Sequence, residues 1–468
     1  MIITACLSLF AGAALAHLHG LADARWLWFV LLLVAWALRK HGVVACALLA
    51  VCCFGVGWWR GSTVMRQLAP YQTFAKHSVV LVGRATSDGA YDTHKQLVFT
   101  MEHLQMVQPA SVHLPGSINV GGFASAIERG DVVQVRGSLY PTRGNNLATV
   151  NFAVVQVIKH EPSVIDLLGR QFTAGLQSAL PEPLASFGLG LLVGQRATLP
   201  ADVSQQLLMI GLTHIIAVSG YNLTIMVEAA RRLFGKRSKF QTATACVLLI
   251  LAFLLITGNS PSIVRASLIS LLSIGAWYYG RAINPLVLLL LAAALTVVAN
   301  PMYVWGNVSW YLSFLAFFGV VLIAPLATRR IYGDKQPNLL VKMIIESLAA
   351  EVMTLPYVLY IFGQMSTVSL LGNLLIAVFV PAGMLFCVVA GMAGMLVPAV
   401  AGWLAWPAVL VLTYMLDAAG LLSRIPHAFI EHIPFGLSAL LLTYAVVALL
   451  AWLWRRRARL QRPQQASP

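Results

Sequence analysis

The chain has 468 residues, 59% hydrophobic and 10% charged, with a mean hydropathy of +0.80. Soluble globular domains carry about 25% charged residues, so this composition excludes an ordinary soluble protein and calls for a polytopic helical membrane one. Lys+Arg number 31 against 16 Asp+Glu, a net +15; that excess suits a nucleic-acid partner, but Arg39-Lys40, Arg231-Arg232, Lys236-Arg237-Lys239, Arg329-Arg330-Lys335 and Arg455-Arg456-Arg457 sit in short loops or tails beside apolar spans, the pattern of cytoplasmic loops in contact with anionic lipid.

In chain order, three short spans are expected at about 2–17, 26–38 and 43–59. The first has no basic leader and no small-residue cleavage site, so it reads as a retained anchor. Arg39-Lys40-His41 places the loop before the third span in the cytoplasm. The N-terminus is then cytoplasmic and the chain leaves the third span outside. The six cysteines all lie in apolar segments, which suggests core residues and no disulfide or metal framework.

From about 63 to 161 the pattern changes to period two. Strands are expected near 78–82, 96–101, 117–123, 131–139 and 149–158, punctuated by Gly89, Pro115-Gly116, Gly121-Gly122 and Pro141. Five short strands fit an inserted all-β domain, a small OB-like barrel outside the cytoplasm. Such barrels bind single strands through basic grooves and stacking aromatics. Tyr91, Phe99, Phe123, Tyr140 and Phe152 are available, with Arg84, Arg136 and Arg143 as DNA contacts. Residues 78–160 hold six Lys+Arg and five Asp+Glu, six minus five being only +1. The aromatics therefore read equally as barrel core.

An amphipathic stretch, 163–180, suits the membrane surface. Leu184 to Val193 is too short to span and runs into Gly194-Gln195-Arg196, a re-entrant or mouth segment. Leu207 to Phe234 is a span interrupted at Ser219-Gly220-Tyr221-Asn222 and ending in Arg231-Arg232. Backbone freed inside a bilayer must line a cavity or be buried in protein, and polar residues at that depth point to function. His214, Ser219, Gly220 and Asn222 are the candidates; close helix packing by Gly220 is the structural alternative. Further spans follow at about 241–257, 263–280, 285–299, 307–327, 340–362, 368–397, 402–422 and 435–454. This count puts the strongly basic loops and both termini in the cytoplasm.

Gly258-Asn259-Ser260-Pro261 with Arg265 reads as a helix end suited to anions, Ser260 as N-cap and Pro261 at the first helical position; a purely structural cap is the alternative. Asn284-Pro285 reads the same way. Lys342 and Glu346 form an i,i+4 pair. Glu351 and Asp417 lie deeper, expected either to pair with Arg265 or His214 or to line a water-filled path. No G-x-x-x-x-G-K-[ST] run is present, and His17-Leu18-His19 is the single H-x-H. No cofactor, catalytic residue or metal site is expected.

His214–Asn222 (HIIAVSGYN) resembles the HLLAISGLH signature of the ComEC competence family. Gly190–Arg196 is similar to its GLLLGD run, and Thr257–Ala266 to its TGASPSVVRA motif. Asn284-Pro285-Leu286, Asn300-Pro301 and Ser309–Leu315 resemble its NPL, NP and FQLSFLA elements, and Glu346–Gly363 its AAQLATLPLLLYHFG segment. The matches run in order over roughly 190–380, behind a β domain placed as in the family. The resemblance implies a channel in the cell inner membrane that passes transforming DNA inward as a single strand. Tyr221 and Asn222 depart from the usual Leu and His. The family's C-terminal metallo-β-lactamase-like domain is missing before the chain stops at Pro468, so a separate nuclease is implied. A cytosolic ATP-driven helicase and a periplasmic or surface DNA receptor are implied as further partners. The domains expected are 1–62 (N-terminal helices), 63–161 (OB-like), 162–204 (amphipathic and re-entrant), 205–455 (channel) and 456–468 (basic tail). The rival reading is a secondary transporter of a smaller solute, with Glu351 and Asp417 as coupling acids.

Overall fold

The computed structural model describes residues 2–16, 42–91, 96–109, 111–123, 127–141, 146–160, 164–194, 199–216, 220–235, 237–257, 261–281, 284–333, 335 and 337–460. The expected second span, 26–38, lies outside these. Helix α1 (Ile2–Leu15) packs along α2 (Gly42–Thr73). Two glycines allow the backbones to touch: a Cβ on Gly12 would stand 2.0 Å from the Phe54 carbonyl oxygen, and one on Gly57 2.2 Å from that of Leu9. Small residues at such crossings are what bilayer helices use in place of a hydrophobic driving force. The sequence pattern ends the third span near residue 59, yet α2 runs on to Thr73. Its last turns are buried by the next domain: Val64, Leu68 and Tyr71 join that domain's core, and the Tyr71 hydroxyl donates to the Pro115 carbonyl at 2.7 Å.

That domain is a mixed β-sheet of β1 (Ser78–Ala85), β2 (Ala90–Tyr91), β3 (Leu97–Gln108), β4 (Val112–Leu114), β5 (Ile118–Phe123), β6 (Asp131–Pro141) and β7 (Ala148–His160). The five strands expected from alternation are all present. Leu97, Phe99 and Met101 turn inward from β3 while Val98 and Thr100 are half-buried, as period two requires. The ladders run β1–β6, β6–β7, β7–β5, β5–β3 and β3–β1, a circuit that returns to its first strand. Only β5–β7 is parallel among them.

Helix α3 (Val164–Ala179) is the amphipathic stretch. Its small side packs on a later helix through Gly175 and Gly394, and its first half is tied to the β domain by Arg129–Asp166 at 3.2 Å and Arg170–Glu128 at 2.6 Å. It is thus a strut between the two regions. Helix α4 (Leu184–Val193) is buried from Leu184 through Leu192, which explains an apolar run with no polar side. Next come α5 (Ala201–Met209), α6 (Thr213–Ile216), α7 (Gly220–Leu233), α8 (Lys239–Thr257), α9 (Pro261–Tyr278), α10 (Pro285–Ala299), α11 (Met302–Gly306) and α12 (Val308–Phe318). Asn284 caps α10 as its sequence suggests, its side chain accepting from Leu286 N–H at 3.0 Å with Pro285 behind it. A π-helical turn, Gly319–Ile323, joins α12 to α13 (Ala324–Tyr332). The chain ends with α14 (Leu339–Phe362), β8 (Met365–Ser366), α15 (Ser369–Leu375), α16 (Val380–Leu396), α17 (Pro398–Ser423), β9 (Phe429–Ile430) and α18 (Leu437–Leu460). The break between α15 and α16 falls at Ile376, beside the expected Gly372-Asn373 and Pro381. Among the described residues, six helices are long and apolar enough to cross a membrane.

Candidate functional site

The central span is broken at Gly211. Helix α5 stops at Ile210, Gly211 takes a φ of +73°, and one short turn, α6, follows. Residues 217–219, including Ser219, are outside the described set, so the interruption expected at Ser219 falls outside it; Gly220 and Asn222 fall in the first turn of α7. Positive φ suits glycine alone at little cost, and space demands it as well: a Cβ on Gly211 would lie 3.0 Å from Ser369 Cβ and 3.1 Å from Ser366 Cβ. Gly372 receives Leu212 and the Ile210 carbonyl on the same surface. The hinge therefore rests on the corner between α14 and α15.

That corner is polar. Thr367 is pinned by its N–H to the Ala428 carbonyl (2.9 Å) and by its hydroxyl to the His427 carbonyl (2.8 Å), beside the β8–β9 ladder. The Ser369 hydroxyl donates to one oxygen of Glu351. The other Glu351 oxygen and the Ser366 hydroxyl are buried with no hydrogen-bond partner among the described residues. Each such orphan costs about 1–3 kcal/mol. His214, from the hinge side, is exposed and bonded through Nδ1 to the Gly211 carbonyl at 3.2 Å. Glu351 accordingly pairs with neither Arg265 nor His214, which corrects the pairing half of the sequence expectation; its bond goes to a serine farther along its own chain segment, beyond the end of α14. Asp417, expected deep in the bundle, is exposed on α17. Lys342 and Glu346 do approach, at 3.9 Å.

Arg265 is one turn into α9 and only 7% exposed, its guanidinium carbon 5.3 Å from the Phe314 ring centre. The Trp310 ring lies 4.7 Å from that of Phe314. A cation over an aromatic face in a desolvated setting gains about 2 kcal/mol, part of what holds a permanent charge inside an apolar bundle. Ser267 and Ser270 are buried on the same helix, and the Ser267 hydroxyl has no partner among the described residues. Gly258 and Ser260, the expected cap, are outside that set, as are Gln195, Arg196 and Arg143.

On the β domain the aromatics divide. Phe99 is core, while Phe123, Tyr140 and Phe152 are exposed, Phe152 to 72%. The core reading is corrected for these three, because β5, β6 and β7 present them on the side away from the packed interior. Val154 pairs with Phe123 on one side and Arg136 on the other, so one outward row crosses three strands. Arg136 is exposed on that row; Arg84 is half-buried on β1, opposite Glu102. Sequence reasoning missed Gly211, Ser366 and Ser369. Gly211, flanked by Ile210 and Leu212 in an apolar run, had a local signal. The serines had none, since their significance arises only where α14, α15 and the hinge meet.

The family model described as "Competence protein" matches residues 191–457. The chain belongs to the competence-protein family. The competence match starts inside buried α4 and takes in the hinge, Arg265 and Glu351, while the β domain precedes it. Over 216 residues, 46% of this chain, it is 24% identical to ComE operon protein 3 of Bacillus subtilis (strain 168). That stretch is 26% of the relative's own length. No solved structure matches the chain. Among the described residues of this competence protein, no three His, Cys, Asp or Glu side chains gather as a metal site. The groups at the hinge and around Arg265 can donate, accept and hold charge.

Proposed function

We propose that this chain is an inner-membrane channel through which transforming DNA reaches the cytoplasm as a single strand. The observation that carries the reading is that the competence-family match covers the whole broken-helix region, with a buried cation, Arg265, among its helices. In this reading Arg265, together with Gly258 and Ser260, contacts backbone phosphates. Gln195, Arg196, His214, Ser219, Gly220 and Asn222 border the path, and the Glu351 corner seats the hinge. The β domain is an OB-like barrel outside the cytoplasm, a reading supported by the closed circuit of its ladders. Its outward row of Phe123, Val154 and Arg136, with Phe152 and Tyr140 nearby, meets the incoming strand, and Arg84 and Arg143 add charge. Both termini and the basic loops face the cytoplasm, where a helicase pulls the strand. A surface receptor delivers the DNA, and a separate nuclease removes the complementary strand. A strain deleted for this gene, complemented with wild type, is the test, following labelled DNA into the nuclease-protected cytoplasm. Loss of cytoplasmic label with surface binding retained is expected; unchanged cytoplasmic label in the deletion sinks the reading.

The rival reading, a solute transporter, draws on the orphan oxygen of Glu351. Its second acid, Asp417, is exposed on another helix, so the two acids do not form the shared coupling site that reading needs.

A further inference from the structure

Where α7 ends, α8 begins and α9 ends, the chain forms a cavity of about 330 Å³. Arg231, Arg232, Arg237 and Lys239 line it, with Trp277 and Thr242, and among the described residues no carboxylate lines it. Described side chains on its rim are tied to backbone. Ser238 and Gln241 bond reciprocally, side chain to backbone, at 3.2 and 3.4 Å. Thr242 is 2% exposed, and its hydroxyl bonds the carbonyls of Phe234 (2.9 Å) and Ser238 (3.1 Å), which folds the loop back over the start of α8. The Arg231 guanidinium lies over the Trp277 ring at 5.0 Å, fixing one cation against one wall. Four cations held around one cavity suit a phosphate-bearing ligand.

The surroundings choose among phosphates. Leu233, Phe240 and Tyr279, next in sequence to the cavity's own helix ends, are exposed to 78%, 66% and 77%, and Tyr279 packs edge-on against Tyr278. Apolar and aromatic side chains flanking a cationic pocket at the ends of apolar helices mark the headgroup level of a membrane. A compact cavity accepts one headgroup, whereas a polynucleotide needs a track. We propose that this corner is a binding site for one acidic phospholipid, its phosphate among the four cations and its chains against Leu233 and Phe240. The site is independent of the DNA pathway proposed above.

The full chain in mild detergent is examined by native mass spectrometry with phosphatidylglycerol, phosphatidylcholine, glycerol phosphate or an oligothymidylate. Wild type is expected to retain one phosphatidylglycerol in preference to phosphatidylcholine. Arg237→Gln with Lys239→Gln lowers that retention about tenfold or more, since each cation near a lipid surface contributes substantially. Arg237→Lys with Lys239→Arg keeps it, which separates lost charge from lost fold. Arg329→Gln with Arg330→Gln, in the last turn of α13, leaves it unchanged. Equal retention of the two lipids, or equal loss in both Gln pairs, overturns the proposal. So does glycerol phosphate binding as tightly as the lipid, or oligothymidylate binding that the Arg237/Lys239 Gln pair abolishes while lipid retention persists.

Discussion

The β domain and the helical region treat buried polarity in opposite ways. Asp131 is fully buried in the β domain and satisfied: it accepts from Glu128 N–H at 3.0 Å and pairs with His160 at 2.8 Å. Among the described residues, none of the buried side-chain polar atoms lacking a hydrogen bond lies in β1–β7; they include the hydroxyls of Ser62, Ser267 and Ser366 and one oxygen of Glu351, all on or between the helices. A folded unit whose polar atoms are paired is organised for stability. The helical region keeps costly orphans near its hinge and near its buried arginine, and the channel proposed above would bring a polar solute to them.

The sharpest break of this contrast is Arg265→Ala. Charged hydrogen bonds are worth about 1.5–3 kcal/mol, so cytoplasmic label should fall roughly tenfold to a hundredfold while the protein remains in the membrane. Quantifying both in the complemented strain checks it; full uptake at normal protein level would remove Arg265 from the pathway. Asp131→Ala tests the other side. It strands the Glu128 N–H and removes the partner of the exposed His160, and should cost the β domain about 2 kcal/mol. Hydrogen exchange in the full chain should then speed up across β6 and β7 and leave α14–α17 unchanged; faster exchange throughout would mean that the regions are not separable.

Gly211→Ala comes next in size. A methyl group at positive φ costs about 1 kcal/mol, and Ser369 and Ser366 must also give way. Uptake should drop several-fold with little loss of protein. Gly402→Ala is the matched control: a Cβ there meets nothing within 4 Å, so uptake should not change. Phe152→Ala should weaken oligonucleotide binding to the full chain by about 1 kcal/mol, or roughly fivefold, with unchanged thermal stability, because Phe152 is outside the packed core. The smallest effect is expected of Glu351→Gln. The amide oxygen still accepts from Ser369, so uptake should stay within about threefold of wild type; a complete loss would favour the acid-coupled transporter.

Much of the architecture was readable from local pattern, because the pattern states its own physics. Alternation in Gln96–Met101 and Asp131–Leu139 demands a half-buried strand, and Asn284-Pro285 names a helix start. Runs such as Leu437–Leu450 can only be helices in an apolar setting. The ordered motifs of 190–380 led to the competence family, and the family match bears that out at the level of the domain. Local pattern passed over Gly211, whose weight comes from Ser366 and Ser369 far along the chain. It offered Arg265 or His214 as partners for Glu351, whose bond goes to Ser369 instead.

What composition, periodicity and charge placement determined by themselves is the class of protein, the strands of the inserted domain and most helix limits, all consequences of neighbours along the chain. Only tertiary structure decided that α2 reaches into the β domain through Tyr71, that β1 closes on both β3 and β6, and that Gly211 sits on Ser366 and Ser369. It also decided that Phe123 and Phe152 face outward while Phe99 faces in. These depend on which surfaces meet across long stretches of chain, and a hydroxyl or a glycine carries no mark of its distant neighbour until the helices pack.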